Sequence, residues 1–133
     1  MPTIVRKSAQ SLMEARREVL HAVGWQVHSN IWSPPTDEYE TEESYVVRVE
    51  IAGMREEDFE VAVENNVLMI SGIRPDQHER RAYHQMEIRF GKFATAIGLP
   101  GPVNVDQARA EYKDGFLTVL LPKAKPNQGK IEE

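Results

Sequence analysis

The sequence predicts an all-β fold: an antiparallel β-sandwich with a short helical arm before it and a flexible tail after it. From Thr36 onward, apolar and polar residues alternate with a period of two, which is typical of half-buried strands. Two dipeptides, Asn65-Asn66 and Asp114-Gly115, tolerate the positive φ that two-residue hairpins require. No helical pattern separates these strand-like segments, so parallel βαβ units are not expected.

The strand-like segments can be placed in order along the chain. In the first, Tyr45, Val47, Val49 and Ile51 share one face, while charged residues occupy much of the other. Later segments either alternate in the same way or form short apolar runs closed by Gly or Pro. The predicted strands cover residues 45–51, 59–64, 67–70, 93–97, 108–112 and 116–121.

We expect three parts: an arm over residues 1–33, a sandwich over 34–124 and a flexible tail over 125–133. Within the arm, Ser11 and Glu14 fit a capping box, and Gly24 supplies a C-terminal stop. Residues 12–23 are therefore predicted to form an amphipathic helix, whose apolar positions include Leu12 and Val19. A helix of this length is marginal alone, so its apolar stripe needs a partner surface.

The end of the arm carries large apolar residues in a segment that Gly, Asn and Pro interrupt. These are Trp25, Val27, Ile31 and Trp32. They have no obvious place in the predicted core, so we expect them to be mobile and partly exposed. Such a segment packs on its own sandwich, on a sister subunit or on a foreign protein, and the sequence leaves these three alternatives open.

Composition and charge exclude several classes of function. The chain has 133 residues and no cysteine, which indicates one domain without disulfides and fits a reducing cytoplasm. Residues 34–133 carry 12 Lys and Arg against 19 Asp and Glu, an acidic balance that disfavours nucleic acid as a partner. No apolar run is long enough to span a membrane, and no secretory signal is evident.

No catalytic or metal-binding pattern stands out. The four histidines lack metal-ligand spacing, and no GxSxG, GxGxxG or phosphate-binding loop is present. His84 with Glu87 is the best candidate pair, and a surface or interface role for it is the simpler interpretation. Sequence alone leaves a glycosidase-like carboxylate pair open, although a small sandwich rarely offers the cleft that it needs. We expect no enzyme activity, no cofactor and no metal.

Several ordered motifs resemble those of the small heat-shock (alpha-crystallin) proteins of the bacterial and plant type. The segment from Ala110 to Leu117 is similar to the A-x-x-x-x-G-x-L signature, in which Gly115 makes the turn. Residues 35–41 and 49–59 resemble the opening of the domain and its next strand and turn. Residues 83–100, which include Leu99-Pro100, resemble the stretch around the dimerisation strand.

This resemblance implies an immunoglobulin-like alpha-crystallin sandwich and a function in the stress response. Members bind partly unfolded client proteins without ATP and prevent their aggregation. They form homodimers by swapping a strand from a long loop, and they build larger homo-oligomers through their termini. In this chain the strand is expected at Tyr83, His84, Gln85, Met86, Glu87 and Ile88. Client binding is expected at Leu12, Val19, Trp25, Val27, Ile31 and Trp32.

The resemblance also implies an edge groove that receives the C-terminal anchor of a neighbour. Its expected residues are Phe59, Val61, Val63, Ala108, Ala110 and Tyr112, and the expected anchor is Ile131. The chain departs from the family in three respects, two of them at positions where arginine is usual. Ile88, Thr95 and Ala96 stand where charged residues are usual, and the tail has one isoleucine followed by Glu132 and Glu133. We therefore expect weak tail docking and small assemblies.

The sequence supports a chaperone that holds unfolding clients as the leading function. The alternative is an adaptor, similar to a co-chaperone, that uses the same sandwich to bind one specific folded partner. A small hydrolase is a third option without a recognisable site. The apolar arm and the strand-like segment inside a long loop favour the first function.

Overall fold

The structure, a computed structural model, describes residues 4–5, 31–77, 79 and 81–124. Within these residues, two four-stranded sheets face each other as a sandwich. The first sheet contains β1 (Ile4–Val5), β4 (Phe59–Glu64), β5 (Val67–Arg74) and β6 (Gly91–Gly98), in the order β1-β4-β5-β6. The second contains β2 (Thr36–Glu40), β3 (Ser44–Glu50), β7 (Arg109–Lys113) and β8 (Phe116–Pro122), in the order β2-β3-β8-β7.

Two hairpin turns fix the register of their strands. Asn65 and Asn66 have φ of 52° and 61° and join β4 to β5, so that Glu64 pairs with Val67. Asp114 and Gly115 have φ of 54° and 83° and join β7 to β8, so that Lys113 pairs with Phe116. Both predicted hairpins are confirmed, because each sequence places residues that tolerate positive φ at both central positions.

The core lies between the sheets and comes mainly from the inward residues of the predicted alternation. One continuous cluster fills it, and Val47, Val49, Leu68 and Ile70 are completely buried. The buried members are Trp32, Tyr45, Val47, Val49, Ile51, Phe59, Val61, Val63, Leu68, Ile70, Phe93, Ile97, Leu99, Ala110, Leu117, Val119 and Leu121. Each large side chain contributes about 1.5–3 kcal/mol by burial, so the inward pattern dominates stability.

The expectation that Trp32 has no place in the core is wrong. Its side chain is 7% exposed and lies against Phe93, with ring centroids 5.8 Å apart. The Trp32 amide donates to the Lys92 carbonyl, and the Trp32 carbonyl accepts from the Ala94 amide. The proline pair that follows suggested a boundary, but a non-local bridge to β6 adds this residue to the first sheet.

β5 is longer than predicted, and β1 and β2 lie outside the predicted strand ranges. β5 continues through Gly72 to Arg74, because Ile73 and Arg74 pair with Lys92 and Gly91 of β6. β1 was not predicted at all. Its two residues pair in parallel with Val61 and Ala62, which makes Ile4–Val5 the edge neighbour of β4.

We predict that Gly72→Ala destabilises the fold by about 1–3 kcal/mol, because the site has no room for a methyl group. A Cβ there would lie 2.7 Å from the Asp58 carbonyl oxygen and 2.8 Å from the Phe93 ring. Gly98→Ala on the neighbouring strand is the matched control, since a Cβ there meets nothing within 4 Å. Urea unfolding measures both, and equal free energies of unfolding would contradict the prediction.

Candidate functional site

The β2 strand is an open edge of the second sheet. Among the described residues it pairs with β3 alone, and its residues from Asp37 to Glu40 are exposed. The edge is acidic, because Asp37, Glu38 and Glu40 all belong to this five-residue strand. An unpaired edge offers backbone donors and acceptors to another strand, so β2 is the clearest docking position in the fold.

The hydrogen-bond pattern shows which β2 groups point outward. The Glu50 amide donates to the Pro35 carbonyl, and the Thr41 amide donates to the Ser44 carbonyl. In an antiparallel pair, inward and outward backbone groups alternate along each strand. The backbone groups of Asp37 and Tyr39 therefore face β3, and those of Thr36, Glu38 and Glu40 face the open edge.

The loop from residue 75 to residue 90 carries the predicted dimerisation segment. Tyr83, Met86 and Ile88 are 48%, 59% and 64% exposed, and the stretch from Tyr83 to Ile88 contains no strand in this single chain. Met86 and Ile88 are separated by the polar Glu87, which is the alternation expected of a strand that pairs with a partner outside its own chain. Whether the segment pairs with a sister subunit stays a prediction.

Arg74 fixes the base of this loop. Its Nε donates to the Arg89 carbonyl at 2.8 Å, and its guanidinium lies 4.7 Å from the Trp32 ring centroid and 5.2 Å from that of Phe90. A third contact runs from Arg74 Nη1 to the Ala52 carbonyl. The loop therefore leaves the sandwich from a defined position beside the Trp32 bridge.

A second arginine organises the outer part of the loop. Arg81 pairs with Glu79 at 2.8 Å and with Asp76 at 3.3 Å, and it donates to Tyr83 Oη at 2.7 Å. The hydrogen bonds to Tyr83 and Glu79 raise the pKa of Arg81 above its ordinary value. Because arginine is charged at any physiological pH, this contact positions Tyr83 and adds no pH dependence.

The residues predicted to form the edge groove lie on β4 and on or just before β7, which belong to opposite sheets. Phe59 and Tyr112 face each other there, with ring centroids 4.9 Å apart. Tyr112 Oη donates to the Ile51 carbonyl at 2.8 Å and accepts from the Met54 amide at 3.2 Å. Phe59, Val61, Val63 and Ala110 are buried, whereas Ala108 and Tyr112 keep part of their surface.

One side of this groove is paired within the chain itself. Ile4–Val5 covers the outer edge of β4, and Ile4 is half-buried against the core cluster. β7 is the last strand of its sheet and has β8 as its only strand neighbour in the described part of the chain. Sequence reasoning missed β1 because two β-branched residues carry too little periodicity to indicate a strand.

The remaining predicted site residues divide between the described and the undescribed parts of the chain. Ile31 is half-buried beside Trp32, and the burial of Trp32 leaves it little surface for a client. Leu12, Val19, Trp25, Val27 and Ile131 lie outside the described residues. His84 and Glu87 are both exposed in the loop, and Glu87 accepts a hydrogen bond from the Gln85 side chain.

In the described ranges, no three His, Asp or Glu side chains are grouped so that they could hold a metal ion. Within the same residues, no helix has the length and apolar character needed to cross a membrane. The prominent surface features of the described residues are the β2 edge and the exposed loop.

Comparison with known proteins identifies the class. The model of the Hsp20/alpha crystallin family matches residues 37–132. A small heat shock protein C4 from Rickettsia felis is 31% identical over 105 residues, and a 17.9 kDa class II heat shock protein from Helianthus annuus is 40% identical over 99. These alignments cover 77% and 72% of this chain, and 64% and 62% of the relatives.

Solved structures agree with the sequence relatives. Heat shock protein 16.0 from Schizosaccharomyces pombe superposes with a TM-score of 0.64 at 32% identity, covering 72% of this chain and 91% of that one. A small heat-shock protein from Xylella fastidiosa gives 0.65 at 25% identity, with 73% and 91% covered. This chain belongs to the Hsp20/alpha crystallin family. Its alignments span a little under two thirds of the length of the curated relatives that it matches.

We predict that Tyr112→Phe lowers the free energy of unfolding by about 1–2 kcal/mol, because the Met54 amide and the Ile51 carbonyl lose their shared partner. Tyr39→Phe on the exposed β2 edge is the matched control and is expected to stay within about 0.5 kcal/mol of the unmodified chain. Urea unfolding measures both. An equal change in the two variants would show that the Tyr112 hydroxyl does not stabilise the groove.

Proposed function

We propose that this protein is an ATP-independent holdase chaperone, which binds partly unfolded proteins and prevents their aggregation. The observation that carries the proposal is the family match over residues 37–132, together with relatives that are named as heat shock proteins. The described surface supports it, because its prominent features are docking edges and exposed apolar side chains. Holding a client in this way requires neither a cofactor nor a catalytic group.

We propose that the working unit is a homodimer in which residues Tyr83 to Ile88 pair with β2 of the partner chain. The outward backbone groups of Thr36, Glu38 and Glu40 supply one half of the new ladder, and the loop supplies an extended segment of similar length. Charge supports the same pairing. The β2 edge is acidic, and Arg89 follows the segment in the loop, whereas Arg81 is already paired with Glu79 and Asp76.

The groove supports a proposal of small, exchangeable assemblies. The β4 edge is already paired with Ile4–Val5, so a tail from a neighbour would have to share or displace that contact. Each apolar contact of the anchor contributes about 1.5–3 kcal/mol, and Ile131 supplies one where two are usual. Glu132 and Glu133 add a desolvation cost near an apolar groove. Ile131 therefore stays a proposed weak anchor.

The proposed organisation keeps an arm over residues 1–33, a sandwich over 34–124 and a tail over 125–133, with Trp32 contributed to the core by the arm.

The acidic balance of residues 34–133 supports protein clients over nucleic acid. The absence of cysteine supports a reducing, cytoplasmic setting. Proteins that partly unfold under stress are the expected clients.

We predict that Glu38→Pro weakens dimerisation by about tenfold or more, because proline removes an outward amide from the β2 edge. The inward ladder to β3 uses Asp37 and Tyr39, so the sandwich itself should remain folded. Sedimentation velocity across a dilution series measures the effect.

Glu38→Ala, which keeps the amide and removes the charge, is the matched control and should remain dimeric. Deleting residues 78–88 should also yield a monomer. A dimer that survives both the proline substitution and the deletion would place the subunit interface elsewhere, without affecting the holdase proposal.

We predict that the double substitution Trp25→Ser with Val27→Ser reduces protection of a heat-aggregating test protein severalfold or more. These apolar side chains are the proposed client contacts, and each contributes about 1.5–3 kcal/mol when it is buried. Light scattering without nucleotide measures the protection. Ile73→Ser, which removes an exposed apolar side chain from the sandwich, is the control and should protect like the unmodified chain.

Undiminished protection by the arm variant would move the client site onto the sandwich. A failure of the unmodified chain to protect several unrelated test proteins would overturn the holdase function. It would favour an adaptor that binds one folded partner.

A further inference from the structure

The outer face of the first sheet carries a line of buried residues that do not belong to the core. Ala62 on β4, Met69 on β5 and Ala94 on β6 are 3%, 6% and 9% exposed. The alternation along each strand directs their side chains away from the second sheet, since Val61, Ile70 and Phe93 point inward. None of the three is a member of the core cluster. Outward side chains in a two-layer sandwich meet water unless another segment lies over them.

The three buried residues form a diagonal across the sheet. Ala62 pairs directly with Met69, whereas Ala94 lies one step further along, opposite Ser71. Ala96 is opposite Met69 on the same face and is exposed. The boundary between covered and open surface therefore runs between two alanines on one strand. Uniform crowding of the whole face would bury both Ala94 and Ala96.

The chain leaves and re-enters the first sheet at the two ends of this diagonal. At one end, Val5 is the partner of Ala62 beside β4. At the other end, Trp32 bridges Phe93 beside β6, and the Ala94 amide donates to the Trp32 carbonyl. Residues 6–30 must connect these two edges. The inner face is filled by the core, so the outer face is the direct route.

The dimensions of the connection agree with a helix. From β1 across β4 and β5 to β6 and then to Trp32 is four strand spacings, roughly 19 Å at about 4.8 Å each. A helix over residues 12–23, as the sequence predicts, is about 18 Å long at 1.5 Å per residue. The 13 other residues of the connection are enough to join its ends to Val5 and Ile31.

The size and charge of the side chains on this face also fit a helix that lies over it. Ala62 and Ala94 are small, which allows a helix to approach the sheet closely on either side of Met69. Glu60 and Glu64 flank Ala62 on β4, so the margin of the line is acidic. Residues 6–30 carry Arg6, Lys7, Arg16 and Arg17 against Glu14 and Glu18, and are therefore basic overall.

We infer that the diagonal formed by Ala62, Met69 and Ala94 is the docking surface for the amphipathic segment 12–23 of the same chain, with Leu12 and Val19 toward the sheet. This inference concerns the resting chain and does not depend on the holdase activity. It supplies the partner surface that the apolar stripe of this short helix needs, namely its own sandwich.

Cysteine accessibility tests the inference in the full-length chain, which has no cysteine of its own. Ala62→Cys reports on the covered line and Ala96→Cys on the open part of the same face. We expect a maleimide to label position 62 at least tenfold more slowly than position 96. Adding Leu12→Asp and Val19→Asp should bring the two rates to within about threefold. Met69→Cys replaces Ala62→Cys if circular dichroism shows that the latter is unfolded.

Each other result overturns the inference. Equal labelling at positions 62 and 96 in the chain with an intact arm would show that the line is open. Slow labelling that persists with both aspartates would assign the cover to something other than segment 12–23. Acceleration only after removal of residues 125–133 would assign it to the tail. Acceleration on dilution to nanomolar concentration would assign it to a second copy of the chain.

Discussion

The packing of Phe93 is the contact on which the other features depend. The ring is almost fully buried, lies 5.8 Å from the Trp32 ring and 6.1 Å from the Phe59 ring, and closes against Gly72. Phe59 continues the series to Tyr112, on the opposite sheet. Four aromatic rings therefore connect the end of the arm, both sheets and the edge groove. Because interiors are close-packed, a shift of one ring must be accommodated by the next.

This arrangement explains why the docking surfaces lie where they do. Trp32 is held against Phe93, and Arg74 stacks on Trp32, so the entry of the sandwich and the base of the loop are fixed together. The loop then extends from a rigid position while its own residues stay exposed. The open β2 edge belongs to the other sheet, which leaves loop and edge available to different chains.

The sequence predicted the sandwich well because most of its information is local. Alternation at Tyr45, Val47 and Val49 reports the buried face directly, and the two hairpins follow from residues that tolerate positive φ. The ordered motifs indicated the protein family. Trp32 was misjudged because its environment comes from Phe93, which is 61 residues away in sequence. The Ile4–Val5 strand was missed because a two-residue parallel pairing has no periodicity to recognise.

The sequence by itself determined which residues face inward, where the chain turns, and that the carboxylates of the body make an acidic surface. Those properties depend on side-chain polarity and on local backbone preference. Both are determined by residues that are close together in the sequence. Only the tertiary structure decided which strand edges stay open, that β4 receives Ile4–Val5, and that Ala62 is covered while Ala96 is exposed. These outcomes depend on segments distant in sequence meeting in space, and no local pattern encodes such a meeting.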